Sequence, residues 1–270
     1  MSQLISAKDT ISSLVKTAVE SYAIGFQGRH EGEVDNPDGT LNMKIHNVFI
    51  AELGPEIQYY TALVRSLDSS LGNMLESLAV SIARLNFEVH KNVEGVLSPA
   101  QIIGIAELLE KYKRREKKPE NIDYGFLHQK PIETDLVSKR HDSDYYLIKK
   151  TTNEHFLIEL KIGGDLDNKK ARSEKEAILE QYGILSNTLP GGSKIKAYFA
   201  TAYNRFGEDK PWKQERVRQF FAEDELLIGK DFWNFVCNDE TGYSVVLNAY
   251  KESAHLIKQA LESIKNTYLG

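Results

Sequence analysis

The sequence predicts an α/β fold: a central mixed β-sheet flanked by helices, preceded by a helical N-terminal region. Three observations carry this. Apolar residues recur at helical spacing through roughly the first 110 positions. A cluster of short β-branched and aromatic runs follows between 131 and 162. Helical spacing then returns on both sides of one further apolar run, "KIKAYFATAYN". With 270 residues, of which 41% are hydrophobic, the chain is long enough for a substantial core.

Taken in order, "DTISSLVKTAVESYAIGF" sets Ile11, Leu14, Val15, Ala18 and Tyr22 on one helical face, with Asp9 or Thr10 as its cap. The polar, Gly-rich "GRHEGEVDNPDGTLNMKI" connects it to a long helical region, 57–87, with the small residues Ser69, Ser70 and Gly72 near its middle. "LSPAQIIGIAELLEKYKRREKKPE" reads as a helix with Ser98 at the N-cap and Pro99 in its first turn. "KPIETDLVSKR", "DYYLIKK" and "HFLIELKIG" read as separate strands, divided by the turn-rich "RHDSD" and "TTNE". "NKKARSEKEAILEQYGILSNTL" is helical, and helices run from "KPWKQERVRQFF" to the end. The expected organisation is a mainly helical region over 1–120, integrated with an α/β core over 121–270.

One cysteine, Cys237, excludes a disulfide framework and a cysteine-based zinc site, and fits a reducing cytoplasm. Neither a signal peptide nor a membrane span is expected. The net charge of −5 means that any nucleic acid must be met by a local basic patch or cleft.

The most informative stretch is "LIELKIG". Glu159 and Lys161 stand two residues apart on an apolar strand and so share one face at its C-terminal end. A cross-strand ion pair at a sheet edge would explain them. So would a Mg²⁺ site for phosphodiester hydrolysis, which needs a second carboxylate on the same ion and a cation beside the attacking water or the phosphate. Two acids compete for the second place. Asp144 opens "DYYLIKK", and a hairpin turning near 152 would set it opposite residue 160. Asp135 stands in "PIETDLV", between apolar neighbours.

An acid followed by Glu-x-Lys on a meander resembles the PD-(D/E)XK nuclease superfamily. Three stretches, "YYTALVRSLDSSLGNMLESLA", "PIETDLV" and "FLIELKIGGDLDNKKARSEKEA", resemble a type II restriction endonuclease of the TdeIII kind. The resemblance implies a restriction-endonuclease-like core in which Asp135 or Asp144 joins Glu159 as metal ligand, Lys161 acts on the attacking water, and Glu76 reaches the metal from an N-terminal helix. The resemblance favours Asp135, whose Asp-Leu-Val context matches the family pattern; tight hairpin geometry favours Asp144. It further implies Mg²⁺ as cofactor, double-stranded DNA as substrate with a short palindromic GGNCC-type site, a cognate methyltransferase, and a bacterial or archaeal cytoplasm. A palindromic site in turn implies a homodimer. A less selective repair or mobile-element nuclease and a silent DNA-binding protein are the alternatives.

Asn168, Lys169, Lys170 and Arg172 open the helix after the Glu-x-Lys strand and are candidates for phosphate or base contacts, as is Arg205 after the following strand. The run "KYKRREKKP" either tracks a DNA backbone or closes a helix with dipole-complementing cations. Gln181 and Tyr182 read as packing residues, as do Phe232, Trp233 and Phe235.

Overall fold

A computed structural model describes residues 6–129, 135–164 and 166–270, with every side chain among them except those of Ile45 and Asp144. The fold is α/β, with a mixed sheet flanked by helices and a helical N-terminal region. The chain forms two compact units. One takes the residues up to Ser81 together with Ser244–Gly270; the other is Ile82–Tyr243.

The first unit is helical. Helix α1 (Ala7–Gly32) opens on a capping box in which the Ser6 hydroxyl accepts from the Asp9 amide and Asp9 bonds back to Ser6. The cap is therefore Ser6, and Asp9 is its reciprocal partner rather than the cap itself. Ile11, Val15, Val19, Ala23 and Phe26 form the buried stripe of α1. A short helix α2 (Val48–Ala51) leads into α3 (Pro55–Ala83). Phe26, Leu41, Tyr59, Ala62 and Leu63 enclose a core with Ile264 of α8 (Gly242–Leu269). Polar contacts fix the approach of these helices: the Tyr268 hydroxyl donates to the His30 carbonyl at 2.9 Å, and Tyr22 meets Ser70 at 2.9 Å.

The second unit holds the sheet, in the order β1 (Phe87–Leu97), β2 (Val137–Lys149), β3 (His155–Leu160), β4 (Ile195–Thr201) and β5 (Leu226–Ile228). β1, β2 and β3 pair antiparallel, and β3, β4 and β5 parallel. Two sequence expectations are corrected here. β1 lies within the first 110 positions, read as mostly helical; Lys91 breaks the apolar alternation of Phe87, Val89, Val93 and Leu97 that would mark a strand. "RHDSD" is no turn: Arg140, His141 and Asp142 pair with β1 inside one continuous β2.

Helix α4 (Pro99–Lys113) follows β1 and carries the expected cap: Ser98 and Gln101 bond reciprocally, with Pro99 in the first turn. Helix α5 (Asn168–Thr188) is the crossover that parallel pairing of β3 and β4 requires. It lies tight on the sheet. A Cβ on Gly95 of β1 would meet Ile184 at 2.6 Å, and one on Gly183 would meet Leu97 at 2.7 Å. Helix α6 (Glu215–Arg218) and helix α7 (Lys230–Cys237) complete the unit. Phe235 of α7 packs on Phe87, Phe156 and Tyr198, while Phe232 and Trp233 are buried, so this segment is core as expected.

The orientation of α5 is set by a buried charge. Lys175 is fully buried and donates to both carboxylate oxygens of Glu225 at 2.7 Å and to the Tyr124 hydroxyl. Its ammonium also lies over the rings of Phe221 (4.5 Å) and Tyr124 (4.9 Å). Burial pushes the Lys175 pKa down, and Glu225 works against that. Removing one partner strands a charge in an apolar interior. We expect Lys175→Ala or Glu225→Ala to cost about 3–5 kcal/mol, and the double change to Met and Leu to cost clearly less than either. Urea unfolding followed by circular dichroism reads the difference.

Candidate active site

The site forms where β2 and β3 part. Their ladder ends at Tyr145 opposite Ile158, so positions 144 and 159 are the next pair outward. The hairpin turns through Asn153, which has a φ of 56° and whose amide donates to the Lys149 carbonyl at 2.8 Å. Carried one step further, this register would set Asp144 level with Glu159, one residue away from the expected alignment with 160. The Asp144 side chain lies outside the described residues. Beyond the fork β3 stays with β4: the Lys161 amide donates to the Ala200 carbonyl at 2.9 Å.

Glu159 is buried at 8% exposure, and the Lys161 ammonium donates to its carboxylate. The same ammonium lies 3.3 Å from the carboxylate of Glu174, on the second turn of α5. Two carboxylates thus converge on one cationic group at the C-terminal end of a buried strand. Such a point favours positive charge, and its donors are hard carboxylate oxygens, the kind that suits Mg²⁺. Among the described residues no cluster of three or more acids, His or Cys could hold a metal by itself. A metal site there would take a further carboxylate, and position 144 of β2 lies next to the end of the β2–β3 ladder.

Asp135 is placed elsewhere. It is exposed and precedes the start of β2 at Val137, and the rest of its "PIET" context lies outside the described residues. Along β2, positions 137 to 144 alone span roughly 20 Å at about 3.3 Å per residue. Glu76 is exposed on α3, in the helical unit.

The turn from Lys161 to α5 is narrow. The Gly164 amide donates to the Lys161 carbonyl at 3.1 Å, and Gly164 has a φ of 64°; a Cβ there would meet Thr201 at 2.7 Å. Asp167 caps α5 by accepting from the Lys170 amide at 2.8 Å, which holds its carboxyl below the usual range. Asn168, Lys169 and Lys170 are exposed on the first turn, and Lys170 precedes Glu174 by one helical turn. Arg172 pairs with Glu176 at 3.3 Å. Arg205 is exposed in the turn after β4, where Asn204 bonds to Glu208 and Lys210 as a plain turn residue.

Gln181 and Tyr182 are buried, and Tyr182 packs on Tyr124. The basic run after α4 is a paired helix end: Glu110 takes Lys113 at 3.4 Å and Arg114 at 3.1 Å, and Lys117 pairs with Asp123. Glu174 was missed in the sequence. Its signal is there, since it sits three residues after Ala171 and four before Ile178, both on the buried stripe of α5.

A type II restriction endonuclease family model, HinfI, matches residues 7–254. The chain belongs to this family, and it is a site-specific deoxyribonuclease acting on DNA. No curated protein and no solved structure matches it. Among the described residues no helix is long and apolar enough to cross a membrane.

Behind the site, α5 is held to β2 by Glu180, which lies 2.7 Å from His141 and 3.2 Å from Lys139. The hydrogen bond from His141, followed by that from Lys139, keeps the Glu180 carboxyl below its usual range despite burial. A depressed carboxyl contributes stability above its unfolded-state pKa and loses it as pH falls through the folded value. The urea-midpoint gap between wild type and Glu180→Gln is therefore expected to be widest at neutral pH and to close below about pH 4.

Proposed function

We propose that the chain cleaves both strands of duplex DNA at a short palindromic site in a Mg²⁺-dependent reaction of the PD-(D/E)XK type, acting as a homodimer. The observation that carries this reading is the convergence of Glu159 and Glu174 on the Lys161 ammonium, beside the strand fork that sets Asp144 level with Glu159. Glu159 and Asp144 would hold the ion. Mg²⁺ would supply a Lewis acid that offsets charge on the phosphate under attack. Glu174 holds Lys161 from the α5 side, and Lys161 orients the attacking water and counters charge developing on the phosphate oxygens. Asn168, Lys169, Lys170, Arg172 and Arg205 lie on the two segments that follow β3 and β4 and would contact the duplex. Two-fold symmetry follows from the palindrome. The restriction-modification setting adds a cognate methyltransferase. The GGNCC-type site was drawn from the TdeIII resemblance, while the family match is to HinfI; run-off mapping of cleaved plasmid reads the site directly.

Lys161→Ala is expected to lower cleavage by on the order of 10²–10³ while leaving specific binding close to wild type, since its charge acts on the transition state. Gel shifts in Ca²⁺ beside plasmid cleavage in Mg²⁺ measure the two separately. An equal loss of both would make Lys161 a phosphate anchor.

The two candidate first acids separate in the same assay. Asp144→Asn keeps the size of the side chain and removes the charge that holds a hard cation, so Mg²⁺-dependent cleavage should disappear. Asp135→Asn should cleave like wild type, and Glu76→Gln reads the share of the helical unit. The reverse result, with Asp135→Asn dead and Asp144→Asn active, would remove the register argument.

A further inference from the structure

The helical unit contains a cleft that no role above uses. It has a volume of about 660 Å³ and lies between the end of α1, the segment before α2, and one face of α3. Arg29, Lys44, His46 and Arg65 line it, with Ser69 and Asn73 along the α3 wall. No carboxylate is among its lining residues, although acids outnumber Lys and Arg by 39 to 34 in the chain. The pocket beside the basic run 111–118 is lined by Glu120, Glu215 and Glu223 together with its cations.

We propose that this cleft is a docking site for the phosphodiester backbone of duplex DNA. The inference rests on the DNA substrate of the family and on none of the catalytic assignments. The volume is too large for one small anion. Arg65, Ser69 and Asn73 follow one another at helical i, i+4 spacing, and at about 1.5 Å per residue they span about 12 Å. Phosphates recur about every 3.4 Å along the axis of one strand, so this wall faces about three of them. Its chemistry suits such contacts: guanidinium and ammonium groups for charge, with hydroxyl and amide donors between them. The Arg29 guanidinium is already braced, donating to the Ser66 hydroxyl at 3.1 Å and lying over the Phe26 ring at 5.3 Å. Contacts of this kind position a duplex without reading its sequence.

The test is fluorescence anisotropy of the full chain with a labelled duplex in Ca²⁺, titrated with KCl. Lys44→Ala/Arg65→Ala should make the slope of log affinity against log salt shallower by about 2, with affinity about tenfold or more weaker at moderate salt. The loss should be the same for a cognate and a scrambled duplex. Lys44→Arg/Arg65→Lys should keep the wild-type slope, and Lys44→Gln and Arg65→Gln singly should each carry about half of the change, which guards against a misfolded double variant. Wild-type slope and affinity in the double alanine variant would overturn the cleft and leave the nuclease reading standing. A loss confined to the cognate duplex would overturn the phosphate assignment. Wild-type protein with no salt-dependent duplex binding would overturn both the cleft and the nuclease reading.

Discussion

The second unit depends on how α5 is rotated about its own axis. Lys175 is the element that fixes it. A lysine with no solvent exposure tolerates few arrangements: its charge needs a carboxylate, and Glu225 supplies both oxygens at 2.7 Å just before β5. Neighbouring helical residues point about 100° apart, a consequence of 3.6 residues per turn. Once Lys175 is committed to Glu225, the direction of Glu174 is settled too, and Glu174 meets Lys161. An interaction made in the core thereby aims a side chain at the rim of the sheet. The glycine contacts at Gly95 and Gly183 set the height of the same helix above β1.

At the rim the arrangement is one of opposing costs. Glu159 sits at the end of a strand whose six residues are all buried, a poor place for an unpaired carboxylate. Lys161 offsets that charge, and Glu174 in turn draws on Lys161. The three groups form a short alternating line of charge that ends where the two strands separate. On the β3 side, pairing with β4 continues through Glu159 and Leu160, while β2 leaves its β3 ladder at Tyr145 and resumes its β1 pairing at Asp142. The paired β3 side gives Glu159 and Lys161 the fixed support that a constellation of charged side chains needs in order to hold its geometry.

Much of this was legible in the sequence. Glu-x-Lys on an apolar run marked the end of β3, and Ser98-Pro99 marked the start of α4, because local chemistry decides both. The charged stretch "RHDSD" misled because it has turn composition; its residues are strand residues whose polar side chains Glu94 and Glu180 receive. β1 was hidden by its polar middle, where Lys91 stands on the same face as Phe87, Val93 and Leu97. The first acid was ambiguous because the deciding quantity, the register, depends on the backbone of a few turn residues. Glu174 was readable in principle from the helical stripe, but only to a reader who already knew that α5 folds back over β3. The cleft of the helical unit could not be read at all, since Arg29, Lys44 and Arg65 come from three separated segments and meet only in three dimensions.

The hairpin joining β2 to β3 shows how narrow the tolerance to change is. Surface turns ordinarily accept insertions and deletions. Here the left-handed Asn153 and the bond from its amide to Lys149 fix which residue stands across from Glu159. Side chains alternate between faces along a strand, so a single residue gained or lost in that turn would bring Ser143 or Tyr145 to the place of Asp144 and reverse every neighbour with it. In the lineage of such a chain this exposed hairpin should hold its length, and position 153 should stay Asn or Gly, while Thr151 and Thr152 vary. Drift in that turn would be read first as a count of residues, and in their chemistry only at position 153.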